Sequence, residues 1–259
     1  MSTILFLHAH PDDEAIFTGG TIALLAAGGH RVAVVFATSG ELGTGAGDGL
    51  RDVRRAEARA ACDLLGVASV HFLDHHDSGG SGDPDGRHDD AFADARVEDV
   101  AAQVAAIAEA EQADALVTYD AEGVYGHPDH VQAHRVGRLA ALLADLPAWY
   151  EVTVDREHLH FVDTHVAAVA GRSISPTRAV GLPTVEISTT IDVSEVLAPK
   201  LRAIAEHRSQ VGPDPTFGSG DHFDDVYGLE WFVRHGRRGA IDALALDVDG
   251  RRERLEVAP

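Results

Sequence analysis

The sequence contains two short clusters of histidine and aspartate whose residue types and spacing are typical of a metal centre. The first is His10-Pro11-Asp12-Asp13-Glu14. Side chains three residues apart across the start of a helix can face the same point, so His10 and Asp13 can converge on one ion. Asp12 lies between them and points elsewhere, where it can contact a water on that ion. The alternative is that Asp12 or Asp13 only caps a helix.

The second cluster covers residues 125–130 and reads Tyr-Gly-His-Pro-Asp-His. His127 and His130 are again three residues apart, so one of them can be a third ligand while the other stays free. Two histidines and one carboxylate with open positions suit catalytic zinc, and non-haem iron(II) uses the same set. The ligand types therefore predict a catalytic metal without choosing between Zn²⁺ and Fe²⁺.

Both clusters follow a segment that is predicted to be a strand. Apolar runs predict strands at 3–8, 31–37, 69–73 and 115–119, and apolar periodicity predicts helices at 15–27, 51–65, 96–111 and 128–144. Four strand-then-helix repeats indicate an α/β fold with a Rossmann-like, mainly parallel sheet and helices on both faces. Strand four commonly neighbours strand one in such sheets, and ligands bind at the carboxyl ends of the strands. We therefore expect the active site at the carboxyl ends of strands one and four.

The rest of the chain has a less regular pattern. Strands are predicted near 149–154 and 185–188, a helix at 193–208 and a polar loop at 211–224. Because no linker or change in composition divides the chain, residues 1–259 are expected to form a single domain. The roles of the glycine-rich loop at 40–49 and the polar loop at 74–94 stay open.

Composition limits the classes of partner. The chain has 259 residues, 45% of them hydrophobic, and a formal net charge of −21, which disfavours nucleic acids and anionic membrane surfaces. One cysteine excludes an intrachain disulfide. The start lacks a signal-type pattern and no apolar run is long enough to span a bilayer, so we expect a cytoplasmic protein. A homo-oligomer remains an option.

The two clusters resemble the motifs of the LmbE-like, PIG-L-type family of zinc-dependent N-deacetylases, and the similarity extends through most of the chain. The resemblance implies that zinc is bound by His10, Asp13 and His130. It also implies that Asp12 is the general base that takes a proton from the attacking water. His127 would then be the second catalytic group, whose protonated form stabilises the oxyanion.

The same resemblance assigns roles around the metal. Tyr125 would assist at the oxyanion, and Asp129 would orient one histidine of the second motif. Arg54 and Asp77 match positions that hold substrate hydroxyls in the glucosaminyl-inositol deacetylase branch of mycothiol biosynthesis. The alternative for Arg54 is a solvated helix face. Weaker matches are Glu57 and residues 207–210.

The implied function is removal of an acetyl group from a small molecule that contains N-acetylglucosamine, such as a GlcNAc-inositol. One alternative is an amidase that acts on a thiol conjugate or an acylated antibiotic intermediate. Another is a non-catalytic sugar-binding protein, but such a protein would not need Asp12 and His127. An iron(II) oxygenase disagrees with the strand-then-helix rhythm, since its usual scaffold is all-β.

Overall fold

One sheet of seven strands runs through the part of the chain that the computed structural model describes, which is residues 1–45, 47, 49–80, 88–162, 180–211 and 226–246. The strands are β1 (Thr3–His8), β2 (Arg31–Thr38), β3 (Ser69–His75), β4 (Ala115–Tyr119), β5 (Ala148–Thr153), β6 (Thr189–Asp192) and β7 (Leu229–Gly236). Their spatial order is β3-β2-β1-β4-β5-β7-β6. Neighbours from β3 to β5 pair in parallel, whereas β7 is antiparallel to both of its neighbours.

Helices pack around this sheet in two groups. They are α1 (Asp13–Phe17), α2 (Gly19–Ala27), α3 (Leu50–Leu65), α4 (Val97–Glu111), α5 (Gly123–Gly126), α6 (Pro128–Leu143), α7 (Arg156–Phe161) and α8 (Leu197–Glu206). Helices α2, α3 and α8 pack against one another, and α4 packs against α6. The predicted Rossmann-like α/β fold with a mainly parallel sheet is confirmed.

The central strands are buried on both faces, which explains their continuous apolar sequence. In β1, Ile4 through Leu7 are enclosed, and β2 is buried from Val32 to its end. Parallel strands covered on both faces need apolar side chains at every position rather than at alternate ones. The same burial holds for β4, so the polar residues that follow β1 and β4 emerge from a rigid core.

Strand β1 lies between β2 and β4, as expected. Ile4 pairs with Ala115 and Phe6 with Val117, while the other edge of β1 pairs with β2. The strand order therefore reverses at β1, and the segments that leave β1 and β4 face each other across the crevice formed by this reversal.

Two predictions about elements differ from the structure. The helix predicted at 15–27 is two helices, because the Thr18 hydroxyl donates to the Glu14 carbonyl and also contacts His8. Gly20 then fits tightly below Val193, where a Cβ would lie only 2.4 Å from the valine Cβ. The strand predicted at 185–188 is replaced by a 3-10 turn, Thr184–Glu186, and β6 starts after it.

The second half of the chain agrees only partly with the predicted elements. Helix α8 is shorter than the predicted 193–208, and β7 and α7 were not predicted. The loop predicted at 211–224 lies almost entirely outside the described residues, so it stays a prediction, as does the single-domain organisation. Within the described residues, no helix has both the length and the apolar character needed to cross a membrane.

Candidate active site

The segments that follow β1 and β4 bring the three predicted metal ligands together. Asp13 Oδ2 lies 3.3 Å from His10 Nδ1 and 3.4 Å from His130 Nε2. The backbone N–H of His10 donates to the same oxygen at 2.9 Å. All three side chains are buried, and His130 is fully enclosed. Two imidazoles therefore approach one carboxylate, in the arrangement that the sequence predicts.

Donor atoms that could hold a divalent cation cluster around His10. Neither ring nitrogen of the buried His130 has a hydrogen-bond partner among the described residues. Side-chain donors of His10, His127 and His130 lie within 4.8 Å of one another, as do those of His10, Asp77 and Asp129. An enclosed imidazole without a hydrogen-bond partner, next to ionised carboxylates, is costly unless a cation completes the site.

The charge state of Asp13 suits that role. Burial alone would raise the pKa of this carboxyl, but the adjacent His130 and His10 outweigh it and hold the pKa well below its ordinary value. Tyr119 also donates a hydrogen bond to it at 2.8 Å. Asp13 is therefore an anion throughout the physiological pH range, as a metal ligand must be.

Asp129 orients a histidine, although not the one that was expected. Its Oδ2 lies 3.1 Å from His10 Nε2, and its carboxylate accepts hydrogen bonds from the backbone and hydroxyl of Ser78. The predicted target was a histidine of its own motif, but the Asp129 side chain reaches across the crevice to the first motif. Its backbone N–H does meet the second motif, because it donates to His127 Nδ1 at 3.2 Å.

Asp12 is held in a strained backbone conformation beside the cluster. Its φ is +116°, in a region that favours glycine. The Glu14 carboxylate accepts the N–H of Asp12 at 2.9 Å and so secures this geometry. Burial, followed by the charge of Asp13, raises the pKa of Asp12 to about 7. A carboxyl with a pKa near neutrality can both accept and return a proton at physiological pH.

Arg54 points inward from α3, so it does not lie on a solvated helix face. The residues of α3 that are buried include Arg54, Ala58 and Leu65. Its guanidinium donates to the Gly40 carbonyl at 2.6 Å, to the Pro11 carbonyl, and to the Asp12 carboxylate at 3.2 Å. Arg54 therefore supports the segment that carries Asp12 while it also lines the cavity.

His127 and Tyr125 also line the cavity. The two rings meet edge to face at 6.2 Å, and Tyr125 is 42% exposed. Burial, with the nearby His10 and His130, lowers the pKa of His127 to about 4. The structure thus differs from the expectation of a protonated His127. Because Nδ1 accepts the Asp129 N–H, the neutral ring carries its proton on Nε2 and can donate it as a hydrogen bond.

A polar cavity of about 320 Å³ opens over these residues. Asp77 lines it and is held in place by the backbone N–H groups of Leu42 and Gly79. Gln210 closes another side, where its amide pairs with the backbone N–H and carbonyl of Thr44. The loop at 40–49, whose role the sequence leaves open, thus contributes Leu42 and Thr44 to the rim.

No role at the site was predicted for a further layer of polar side chains. Tyr119, His8 and Glu14 are buried next to the predicted ligands, and His207 pairs with Glu14 at 2.7 Å. The available signal was position, since His8 and Tyr119 are the last residues of two core strands that are otherwise almost entirely apolar.

Sequence comparison finds that this chain is similar to deacetylases. The model of the PIG-L family, described as GlcNAc-PI de-N-acetylase, matches residues 5–141. A 1D-myo-inositol 2-acetamido-2-deoxy-alpha-D-glucopyranoside deacetylase from Actinosynnema mirum is 39% identical, with 80% of each chain covered. A protein of the same name from Thermomonospora curvata is 34% identical over 97% of this chain and 95% of its own.

Solved structures share the fold at lower identity. The N,N'-diacetylchitobiose deacetylase from Pyrococcus horikoshii superposes with a TM-score of 0.57 at 22% identity, covering 91% of this chain and 84% of its own. The 4-carboxy-2-hydroxymuconate hydratase from Pseudomonas putida gives 0.58 at 20% identity, covering 92% and 98%. Because a deacetylase and a hydratase both match, the fold alone does not decide the reaction.

Proposed function

Because the chain belongs to the PIG-L family of de-N-acetylases, we propose that it hydrolyses the acetamide bond of a small molecule containing N-acetylglucosamine, releasing acetate and the free amine. The family resemblance predicted from the two motifs is confirmed by the match over residues 5–141 and by a relative at 39% identity. The expectation of an enzyme that cleaves an amide is confirmed with it, since those relatives are deacetylases.

The observation that carries the proposal is the cluster of His10, Asp13 and His130 beside a polar cavity that Asp12 lines. We assign these three residues as the metal ligands, with zinc as the ion, although iron(II) accepts the same donors. A zinc ion held there would supply Lewis acidity, which acidifies water and polarises a carbonyl.

The protein's own residues then handle the protons. Asp12 lines the cavity as a carboxylate with a pKa of about 7, so it can take a proton from the attacking water. The same group can deliver that proton to the departing nitrogen, which leaves as an amine. Arg54 keeps the Asp12 carboxylate aimed at the cavity through its contact at 3.2 Å.

His127 stabilises the developing charge on the acetyl oxygen in this proposal. Its Nε2–H is left free to donate, because Nδ1 is occupied by the backbone N–H of Asp129. A preorganised neutral donor in a largely buried site stabilises an oxyanion without an ionisation step. Tyr125 stands at the cavity rim, where its hydroxyl can assist the same oxygen.

The lining favours a hydroxyl-rich substrate. Arg54, Asp77, Thr44 and Gln210 surround the cavity, and Leu42 is the one large aliphatic side chain among the described lining residues. Sugar hydroxyls can pair with such groups, whereas a long acyl chain would leave them unpaired. An inositol glycoside of N-acetylglucosamine is our first candidate, in keeping with the names of the relatives.

The deciding experiment is mass spectrometry of N-acetylated compounds incubated with the zinc-loaded protein. The panel holds GlcNAc-inositol, free GlcNAc, an N-acetylated thiol conjugate and an acylated antibiotic intermediate, and the Asp12→Asn variant is the control for hydrolysis that does not use the proposed general base. We expect deacetylation of GlcNAc-inositol by the wild type alone. Cleavage confined to the thiol conjugate or the antibiotic intermediate would replace the proposal with the amidase alternative.

Other properties stay predictions from the sequence. They are the cytoplasmic location, the lack of nucleic-acid and membrane partners, and a homo-oligomeric state as an option.

A further inference from the structure

Tyr119 occupies the junction between the segments that supply the metal ligands. It is the last residue of β4 and is fully buried. Its hydroxyl accepts the N–H of Ala9 at 2.9 Å and donates to Asp13 Oδ2 at 2.8 Å. One oxygen atom thus links the end of β1, next to His10, with the first residue of α1.

The direction of these two hydrogen bonds follows from the groups involved. The backbone N–H of Ala9 can only donate, and the Asp13 carboxylate can only accept. His8 Nδ1 lies 3.3 Å from the same hydroxyl, but the Asp13 carboxylate is charged and closer, at 2.8 Å, so the Tyr119 proton is directed at Asp13. A tyrosine hydroxyl ordinarily loses its proton only near pH 10, so at neutral pH it carries the proton that this bond requires.

The ring of Tyr119 orients a second ligand. It stacks on the imidazole of His130 with the centroids 4.2 Å apart and the planes at 19°. Phe17 meets both rings edge to face, at 6.2 Å from Tyr119 and 6.1 Å from His130. His130 has no hydrogen-bond partner at either nitrogen among the described residues, although its Nε2 lies 3.4 Å from Asp13 Oδ2, so ring contacts contribute to setting its plane.

We propose that Tyr119 is a positioning residue for the metal centre, which fixes the Asp13 carboxylate through its hydroxyl and the His130 ring through its face. This inference rests on the metal site of the proposed function. Because a single side chain contacts two ligands from different helices, it sets the distance between them before metal binds. Groups that orient ligands in this way typically change metal affinity by about 10- to 100-fold when they are removed.

The test compares Tyr119→Phe with Tyr150→Phe. Tyr150 is also fully buried, on the neighbouring strand β5, and donates at 2.6 Å to a carboxylate, that of Asp242. Both variants lose one buried hydroxyl bonded to an aspartate, but only Tyr119 touches the ligands. The Kd for Zn²⁺ is measured by competition with a chromophoric chelator, and the visible spectrum is recorded for the Co²⁺-loaded proteins.

We expect Tyr119→Phe to weaken Zn²⁺ binding by about 10- to 100-fold and to shift the Co²⁺ bands, while Tyr150→Phe keeps the wild-type Kd and spectrum. Tyr119→Leu, which also removes the ring, should weaken binding further. Thermal unfolding of the metal-free variants identifies any that fail to fold.

Two results would overturn the inference: wild-type Zn²⁺ affinity in folded Tyr119→Phe, or equal losses in Tyr119→Phe and Tyr150→Phe. A wild-type protein that binds no divalent ion would instead refute the proposed function, so the two failures can be told apart.

Discussion

The buried pair of Glu14 and His207 offers the most quantitative test of how the site is held. His207 Nε2 lies 2.7 Å from Glu14 Oε1, and both side chains are 0% exposed. The other oxygen of Glu14 accepts the N–H of Asp12. The His207→Ala variant leaves the carboxylate buried without this partner, which costs about 3–5 kcal/mol in the free energy of unfolding.

This loss should appear in both stability and turnover. A destabilisation of this size lowers the melting temperature by roughly 6–20 °C for a chain of this length. Because Glu14 holds the backbone of Asp12, kcat should fall while KM changes little. Arg208→Ala is the matched control, since this neighbouring side chain is 76% exposed, and it should change stability by less than about 0.5 kcal/mol.

The pH dependence of stability follows from the same pair. Burial alone would lower the pKa of His207, but the charge of Glu14 outweighs it and raises the pKa. A raised folded-state pKa stabilises the protein fully below the unfolded value of about 6.5, and the gain disappears as the pH rises through the folded pKa. Urea unfolding should therefore show the difference between wild type and His207→Ala narrowing as the pH increases above about 6.5.

A double-mutant cycle isolates the pair. Glu14→Gln keeps an acceptor for the N–H of Asp12 but removes the charge, so it should destabilise the wild type and stabilise the His207→Ala background. The same loss in both backgrounds would refute the reasoning, because the charges would then be uncoupled.

Three further predictions concern the site. Metal analysis should find about one divalent ion per chain, and His130→Ala should reduce it; unchanged content would reject this ligand. Asp12→Ala should keep the metal and lose about 10²- to 10⁴-fold in kcat. Steady-state kinetics and metal analysis of this variant check both effects, and loss of the ion would contradict the assignment. Asp77→Ala should mainly raise KM for the acetamido sugar, since Asp77 lines the cavity; an unchanged KM would separate Asp77 from substrate binding.

Features governed by local spacing could be predicted from the sequence. Apolar runs located β1, β2 and β4 to within one residue, because burial on both faces demands apolar side chains at consecutive positions. The three-residue spacings in the two motifs likewise indicated candidate ligands without knowledge of the rest of the fold. Strand β6 was misplaced, since a strand of four residues at a sheet edge has few positions to show a pattern, and the eight-residue β7 was missed.

Partnerships between distant residues were decided only by the tertiary structure. Tyr119 reaches Asp13 across 106 positions of sequence, and His207 reaches Glu14 across 193. The same holds for Asp129, which orients His10 rather than a neighbour in its own motif. Sequence spacing specifies which side chains share one helix face, but the strand order that places β1 beside β4 determines which faces meet. The candidate ligands of this site could therefore be predicted from the sequence, whereas the groups that contact those residues depend on packing between segments far apart in sequence.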